Sequence, residues 1–137
     1  FQVHPTGRYL DHPKTLGSAL FVASVLKVFM ENSRVEVANS FKLTEPTFMG
    51  WMGPRDGRIH PKASLLALEL FAKHFGDKLV RSETESPTYD APSVGLMPAV
   101  AKAPWFESIA SRDDKGRLYV VGINKHFTAP AEAALHW

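Results

Sequence analysis

The sequence predicts a chain in two parts, a mixed α/β part followed by an all-β part. Two stretches carry apolar residues at helical spacing, residues 13–32 and 61–76, and a short β-branched stretch at residues 34–39 lies between them. After Gly76 the apolar period changes from that of a helix to that of a strand. We therefore expect two long helices and one strand of the parallel type before Gly76, and antiparallel strands after it.

The first helix is predicted over residues 13–32. Asp11 offers a cap at its start, and Pro13 suits a first helical turn because proline has no N–H to leave unpaired there. Its apolar positions follow at helical spacing: Leu16, Ala19, Leu20, Ala23, Leu26 and Met30. Residues 34–39 then predict a buried strand, so that helix, turn and strand make half of a parallel β/α unit.

A long loop is predicted next, because residues 49–57 contain four glycines and prolines. In barrels the loops that follow strands build the sites, so residues 40–57 are a candidate site. Pro61 opens the second helix, and Gly76 is typical of a C-terminal stop. The apolar face of that helix consists of Leu65, Leu68, Phe71, Ala72 and Phe75.

The remaining chain is predicted to be β-structure. Alternating apolar residues indicate strands at residues 78–82, 107–111 and 117–124. Residues 113–116 predict a turn between the last two, which makes a hairpin. Residues 131–137 offer a further strand. Residues 86–104 contain four prolines and predict a long connection within the β part.

Composition excludes several classes of function. The 137 residues contain no cysteine, which removes disulfides, thiolate metal sites and cysteine nucleophiles. The formal net charge is only +2 and its charges are dispersed, which argues against nucleic acid as a partner. The longest apolar run, residues 19–26, is too short to span a membrane, and the amino end lacks a signal-peptide pattern. We expect a soluble protein, cytoplasmic or secreted, and the start at Phe1 suggests a piece of a longer chain.

Several stretches in order resemble glycoside hydrolase family 51, the family of α-L-arabinofuranosidases. Those before Gly76 resemble the seventh barrel helix, the eighth strand and the eighth helix, at residues 16–30, 34–39 and 68–76. Those after it resemble the start of the family's C-terminal β-sandwich, at residues 86–90, 105–110 and 120–125. The resemblance implies that residues 1–76 end a (β/α)8 TIM barrel, the catalytic domain, and that residues 77–137 form part of an antiparallel β-sandwich.

The resemblance also implies an activity that this chain lacks by itself. The expected function is retaining cleavage of plant cell-wall polysaccharide at α-L-arabinofuranosides, with β-glucan or xylan left open as in endoglucanase and xylanase members. The family's acid/base Glu and nucleophile Glu correspond to positions upstream of Phe1. Retaining hydrolysis needs both carboxyl groups, about 5 Å apart. We therefore expect the chain alone to be inactive, and the missing N-terminal part of the same enzyme to be its partner.

Four residues are candidate sugar contacts. Lys42 stands where the arabinofuranosidases have a Gln that hydrogen-bonds the sugar, and an ammonium donates but cannot accept, which would change the sugar preference. Trp51 is expected to stack on a sugar ring or to pack the barrel rim. Glu45 is expected to pair with Lys42 or to be a structural loop acid. His4 lies in a second candidate loop, residues 2–9, which the resemblance puts just after the seventh barrel strand. No cofactor is implied, and the histidines lack the spacing of a zinc site.

Two other classes of function stay open. The chain could be a non-catalytic carbohydrate-binding or structural module that supports a partner chain, or a protein-interaction domain without a sugar role. A Glu-bearing strand just upstream of Phe1 would favour the hydrolase. A homo-oligomer is also left open, whereas no feature indicates a membrane partner.

Overall fold

The computed structural model describes residues 15–45, 50–126 and 128–136. These residues form two helices, α1 (Leu16–Glu31) and α2 (Ala63–His74). They also form seven strands: β1 (Met52–Arg55), β2 (Arg58–Pro61), β3 (Lys78–Val80), β4 (Thr88–Ala91), β5 (Val100–Pro104), β6 (Phe106–Arg112) and β7 (Leu118–Asn124). The strands make a hairpin β1–β2, a three-stranded sheet in the order β3–β6–β7 and a hairpin β4–β5, all antiparallel.

Both helices form where the apolar spacing predicts them. Before α1, Thr15 is extended, and after it the extended Asn32 accepts a hydrogen bond from the backbone N–H of Arg34 that turns the chain. The predicted cap and proline of α1, Asp11 and Pro13, lie outside the described residues. α2 stops at His74 because Phe75 is extended, so the helix ends before Gly76 is reached. No helix in the described part of the chain is long and apolar enough to cross a membrane.

The strand expected at residues 34–39 is wrong, because these residues form neither strand nor helix. Val35 donates its N–H to the Asn32 carbonyl in a turn, and the Val37 side chain is 76% exposed. β-branched residues favour a strand only where a neighbouring strand pairs with them, and none does among the described residues. Residues 131–136 likewise form no strand, and Trp137 lies outside the described residues.

The loop expected at residues 49–57 instead contains the turn of a hairpin. β1 pairs with β2 from Met52 opposite Pro61 to Arg55 opposite Arg58. Asp56 and Gly57 connect the strands with φ of 51° and 72°. Positive φ at both central residues is the type I′ geometry that matches the twist of paired strands.

The connection expected at residues 86–104 contains a second hairpin, β4–β5, which corrects that prediction. Its tip is closed by two backbone hydrogen bonds between Val94 and Met97, 3.1 and 3.0 Å long. Gly95 occupies the tip with a φ of 59°. The four prolines lie at the strand ends or in the connection, where no ladder hydrogen bond is lost.

The hairpin predicted from residues 107–124 is confirmed. β6 and β7 pair along their whole lengths, from Phe106 opposite Asn124 to Arg112 opposite Leu118. Asp113 organises the turn: its Oδ1 accepts the N–H groups of Lys115 and Arg117, and its Oδ2 accepts from the Arg117 Nε. Arg117 and Tyr119 together keep the turn against the sheet through this one carboxylate.

One hydrophobic core joins the helices to the three-stranded sheet. Its buried residues come from both helices and from β6 and β7: Ala23, Phe71, Ile109, Val121 and Ile123. Leu20, Leu26, Ala67 and Phe75 pack against them. The core therefore contains residues from both sides of Gly76, where the apolar period of the sequence changes.

Candidate functional site

Three of the four predicted site residues lie in a cluster formed by two adjacent backbone segments, residues 40–45 and 50–52, which we call the 40–52 cluster. Trp51 donates its N–H to the carbonyl of Lys42 at 3.3 Å, and Met52 donates to Leu43 at 3.0 Å. Glu45 donates back to the Met52 carbonyl at 3.1 Å. These hydrogen bonds bring Lys42, Glu45 and Trp51 together.

A glycine and a buried lysine hold the cluster together. A Cβ on Gly50 would lie 2.6 Å from the Glu45 nitrogen, so only glycine allows the two segments to approach this closely. Lys62, the residue before α2, is 7% exposed, and its Nζ lies 3.5 Å from the Glu45 carbonyl oxygen. Its backbone N–H also donates to the Trp51 carbonyl at 2.9 Å.

The Trp51 indole is fixed in place. Its backbone is hydrogen-bonded on both sides, to Lys42 and to Lys62, and its Nε1–H donates to the Ser40 hydroxyl. The side chain is half-buried, which leaves part of it open to solvent. A fixed, half-exposed indole has the shape of a platform for a flat apolar surface.

Lys42 and Glu45 differ in their exposure and in the contacts that are described for them. The Lys42 side chain is exposed, and its Nζ lies 5.4 Å from the centre of the Phe41 ring. Glu45 is half-buried and is held by its backbone. The cluster thus contains an exposed ammonium donor on Lys42 and a fixed indole on Trp51, and the backbones of these two residues are hydrogen-bonded.

The other predicted contact, His4, lies outside the described residues. No group of three or more His, Asp or Glu side chains with the arrangement of a metal site occurs in the part of the chain that the structure describes. A hydrogen bond from Lys73 lowers the pKa of Glu69 on the surface of α2.

Sequence reasoning missed Ser40 and Lys62. A hydroxyl in a polar loop carries no distinguishing pattern, so Ser40 had no signal. Lys62 had a weak signal. A cation just before a helix is repelled by the positive end of the helix dipole, so a compensating contact is expected there. The contact of the Lys62 Nζ with the Glu45 carbonyl is such a contact.

Two shallow grooves lie away from the 40–52 cluster. One, of about 200 Å³, runs along α1 and is lined by Phe21, Ser24, Val25, Val28 and Phe29. The other, of about 210 Å³, lies between α1 and the edge of β6, and its lining includes Lys27, Glu31, Thr84 and Glu107. Beside it, Glu107 accepts from the Ser24 hydroxyl at 3.3 Å and pairs with Lys125 at 2.8 Å, which ties α1 to β6 and β7.

Solved structures of arabinofuranosidases resemble this fold. A family 51 α-L-arabinofuranosidase from Thermotoga petrophila matches with 24% identity and a TM-score of 0.70. An α-L-arabinofuranosidase from Thermotoga maritima in an arabinose complex matches with 25% identity and a TM-score of 0.73. A further arabinofuranosidase matches with 26% identity and a TM-score of 0.69. No family model and no curated protein matches the chain.

Each of these matches covers 88% of the present chain but only 26% of the solved one. The resemblance to family 51 is thereby confirmed for the fold of two helices and antiparallel sheets. The chain spans about a quarter of the length of the enzymes that it matches.

Proposed function

We propose that this chain is the C-terminal part of a retaining glycoside hydrolase that acts on plant cell-wall polysaccharide, with α-L-arabinofuranosides as its main substrates. β-Glucan or xylan is the alternative substrate class. Both catalytic Glu residues belong to the upstream part, so the 137 residues alone are inactive. The observation that carries the proposal is the likeness of nearly the whole chain to arabinofuranosidases.

In this proposal residues 1–76 complete the catalytic barrel and residues 77–137 contribute to a β-sandwich. The surface of α1 supports a place for this helix inside a larger protein. One side of α1 packs in the core through Ala23, whereas Phe21 and Val28 on another side are 55% and 57% exposed. A helix that is apolar around most of its circumference is typical of the interior of a larger protein.

The exposed side of α1 therefore packs against the upstream part of the barrel. The groove on this side is lined by apolar side chains and one serine. Covering it with aliphatic side chains would remove apolar surface from water, at roughly 25 cal/mol per Å².

Within the assembled enzyme we assign sugar binding to the 40–52 cluster. The Lys42 ammonium donates to sugar hydroxyls, and the Trp51 indole packs against the apolar face of a sugar ring. Glu45 accepts from hydroxyls. His4, in the preceding loop, is assigned to the same substrate.

The test compares hydrolysis by the isolated chain with hydrolysis by the chain assembled with the upstream part of its parent protein. The purified 137-residue chain is assayed on an aryl α-L-arabinofuranoside, on β-glucan and on xylan, and the assay is repeated with the upstream part of the parent protein present. We expect no hydrolysis by the chain alone and turnover of the arabinofuranoside by the assembled protein.

The control replaces the upstream Glu that corresponds to the nucleophile by Gln in the assembled protein, which should abolish turnover. Hydrolysis by the isolated chain would refute the division of the catalytic residues. An assembled protein that binds oligosaccharide but cleaves none of the three substrates would favour a non-catalytic carbohydrate-binding module instead.

A further inference from the structure

After Lys125, which still donates its N–H to the Trp105 carbonyl at 2.8 Å, side chains fix the chain. In the described part of this region, the Asn124 Nδ2–H donates to the Ala129 carbonyl at 3.0 Å. The Nδ1 atom of His126 accepts two backbone N–H groups, from Thr128 at 3.3 Å and from Ala129 at 2.9 Å. Residues 129–136 then continue without helix or strand, and all are exposed.

His126 can make these contacts only in one protonation state. Neutral imidazole has one nitrogen that accepts and one that donates, whereas both nitrogens of imidazolium donate. Accepting at Nδ1 therefore requires the neutral form with its proton on Nε2. A proton on Nδ1 would break both hydrogen bonds, because the new N–H would then face the backbone N–H groups of Thr128 and Ala129.

We propose that His126 is a proton-operated latch for the C-terminal segment, residues 128–136. Neutral His126 closes the turn and holds the segment against the end of β7. Protonated His126 releases Thr128 and Ala129. Two described hydrogen bonds of this turn remain, from the Asn124 amide to the Ala129 carbonyl and from the His126 N–H to the Asn124 Oδ1. The inference is independent of the proposed glycosidase activity.

His126 lies beside a pair of aromatic side chains. Its ring lies 4.7 Å from the Trp105 ring, which in turn stacks on Tyr89 of β4 at 3.9 Å. The side chain is exposed. The charged groups nearest in the chain are Lys125, which is paired with Glu107 of β6, and Glu132 within the segment itself. Tyr89 is the titratable group on the β4 side.

The test is an NMR titration of the 137-residue chain from pH 8 to pH 5, the range in which histidine usually takes up a proton. The ring nitrogen shifts of His126 report its protonation, and backbone order parameters report Thr128 and Ala129. We expect order parameters to fall from about 0.85 to below about 0.6 as His126 is protonated. Unchanged order while the imidazole titrates would overturn the proposal.

Two variants separate the latch from a general effect of acid. In His126→Asn the amide oxygen takes the position of Nδ1 and accepts without titrating, as Asn124 already does for the N–H of His126. In His126→Asn, Thr128 and Ala129 should stay ordered at pH 8 and at pH 5, whereas in His126→Ala they should be mobile at both. His74→Asn, on the surface of α2, is the matched control and should behave as the wild type does. A His126→Asn chain that still loosens in acid would place the titrating group elsewhere and refute the latch.

Discussion

The backbone N–H of Gly76 donates a hydrogen bond of 2.7 Å to the hydroxyl of Ser111, a side chain with no exposed surface. The contact joins the end of α2 to the middle of the three-stranded sheet. A Cβ on Gly76 would lie 2.4 Å from the backbone carbon of Arg112, so the two segments approach as closely as glycine allows. Gly76 is therefore required by this approach, whereas Phe75 ends the helix.

We expect both partners of this contact to be sensitive to substitution. Ser111→Ala should lower the free energy of unfolding by about 1–3 kcal/mol, because the Gly76 N–H loses its acceptor. Gly76→Ala should cost about as much through overpacking. Urea unfolding measures both. Ser93→Ala, which removes an exposed hydroxyl from the β4–β5 tip, should change stability by less than about 0.5 kcal/mol. Wild-type stability of Gly76→Ala would show that the backbone shifts freely there.

Sequence patterns predicted the elements whose signals are local. The spacing of apolar residues located α1 and α2, and residues 113–116 located the β6–β7 turn. The β1–β2 hairpin was missed although Asp56-Gly57 is a typical type I′ pair, because the nearby glycines and prolines were interpreted as a loop. The strand predicted at residues 34–39 is absent. Its signal is a local strand propensity, but a strand also needs a neighbouring strand to pair with.

The candidate site was predictable only in part. The family resemblance selected Lys42 and the predicted loop selected Glu45 and Trp51, and backbone hydrogen bonds bring these three residues together. The support from Lys62 depends on a contact between residues 17 apart in sequence. Such a contact follows from packing and leaves no periodic pattern.

The Asp113 turn should make the stability of the chain depend on pH in the acid range. Burial raises the pKa of the Asp113 carboxyl, but hydrogen bonds from Arg117 and Tyr119 outweigh this effect and hold the pKa below its usual value. Because the unfolded state binds the proton more readily, this stabilisation is complete above the ordinary aspartate pKa of about 3.9 and is lost as pH falls through the lower folded value.

Urea midpoints measured from pH 6 to pH 2 test this prediction. Asp113→Asn should be less stable than the wild type at pH 6, and the two midpoints should converge towards pH 2. Asp114→Asn, at the exposed neighbouring position, should follow the wild-type curve. A constant difference between wild type and Asp113→Asn over this range would contradict the assignment.

The apolar side of α1 should make the isolated chain self-associate. Val28 is 57% exposed in the α1 groove, and Val28→Ser should increase the monomer fraction in light scattering after size exclusion. Leu66→Ser is the matched control, since Leu66 is 54% exposed on α2 outside that groove. In the assembled enzyme the same surface of α1 contacts the upstream part, so Val28→Ser should weaken that association. Equal effects of the two variants would argue against a specific α1 surface.

Trp51 should contribute to substrate affinity in the assembled enzyme. Trp51→Ala removes the platform and should raise KM about tenfold, a loss of ~1.4 kcal/mol of binding. Trp51→Phe keeps a ring but loses the donor to Ser40, so a smaller effect is expected. Steady-state kinetics on an aryl arabinofuranoside decide between the roles. If both variants lower stability and leave KM unchanged, Trp51 packs the barrel rim and does not contact sugar.

Lys42 should determine the preference among sugars. Its exposed ammonium can only donate hydrogen bonds, whereas the amide of a glutamine both donates and accepts. In the assembled enzyme Lys42→Gln should therefore raise the ratio of kcat/KM on arabinofuranoside to kcat/KM on β-glucan, because a site that pairs both groups of a hydroxyl discriminates more strongly. Lys115→Gln, in the exposed turn after β6, controls for the loss of one positive charge. An unchanged ratio in Lys42→Gln would mean that Lys42 does not face the sugar, and the 40–52 cluster would then act on the substrate through Trp51 alone.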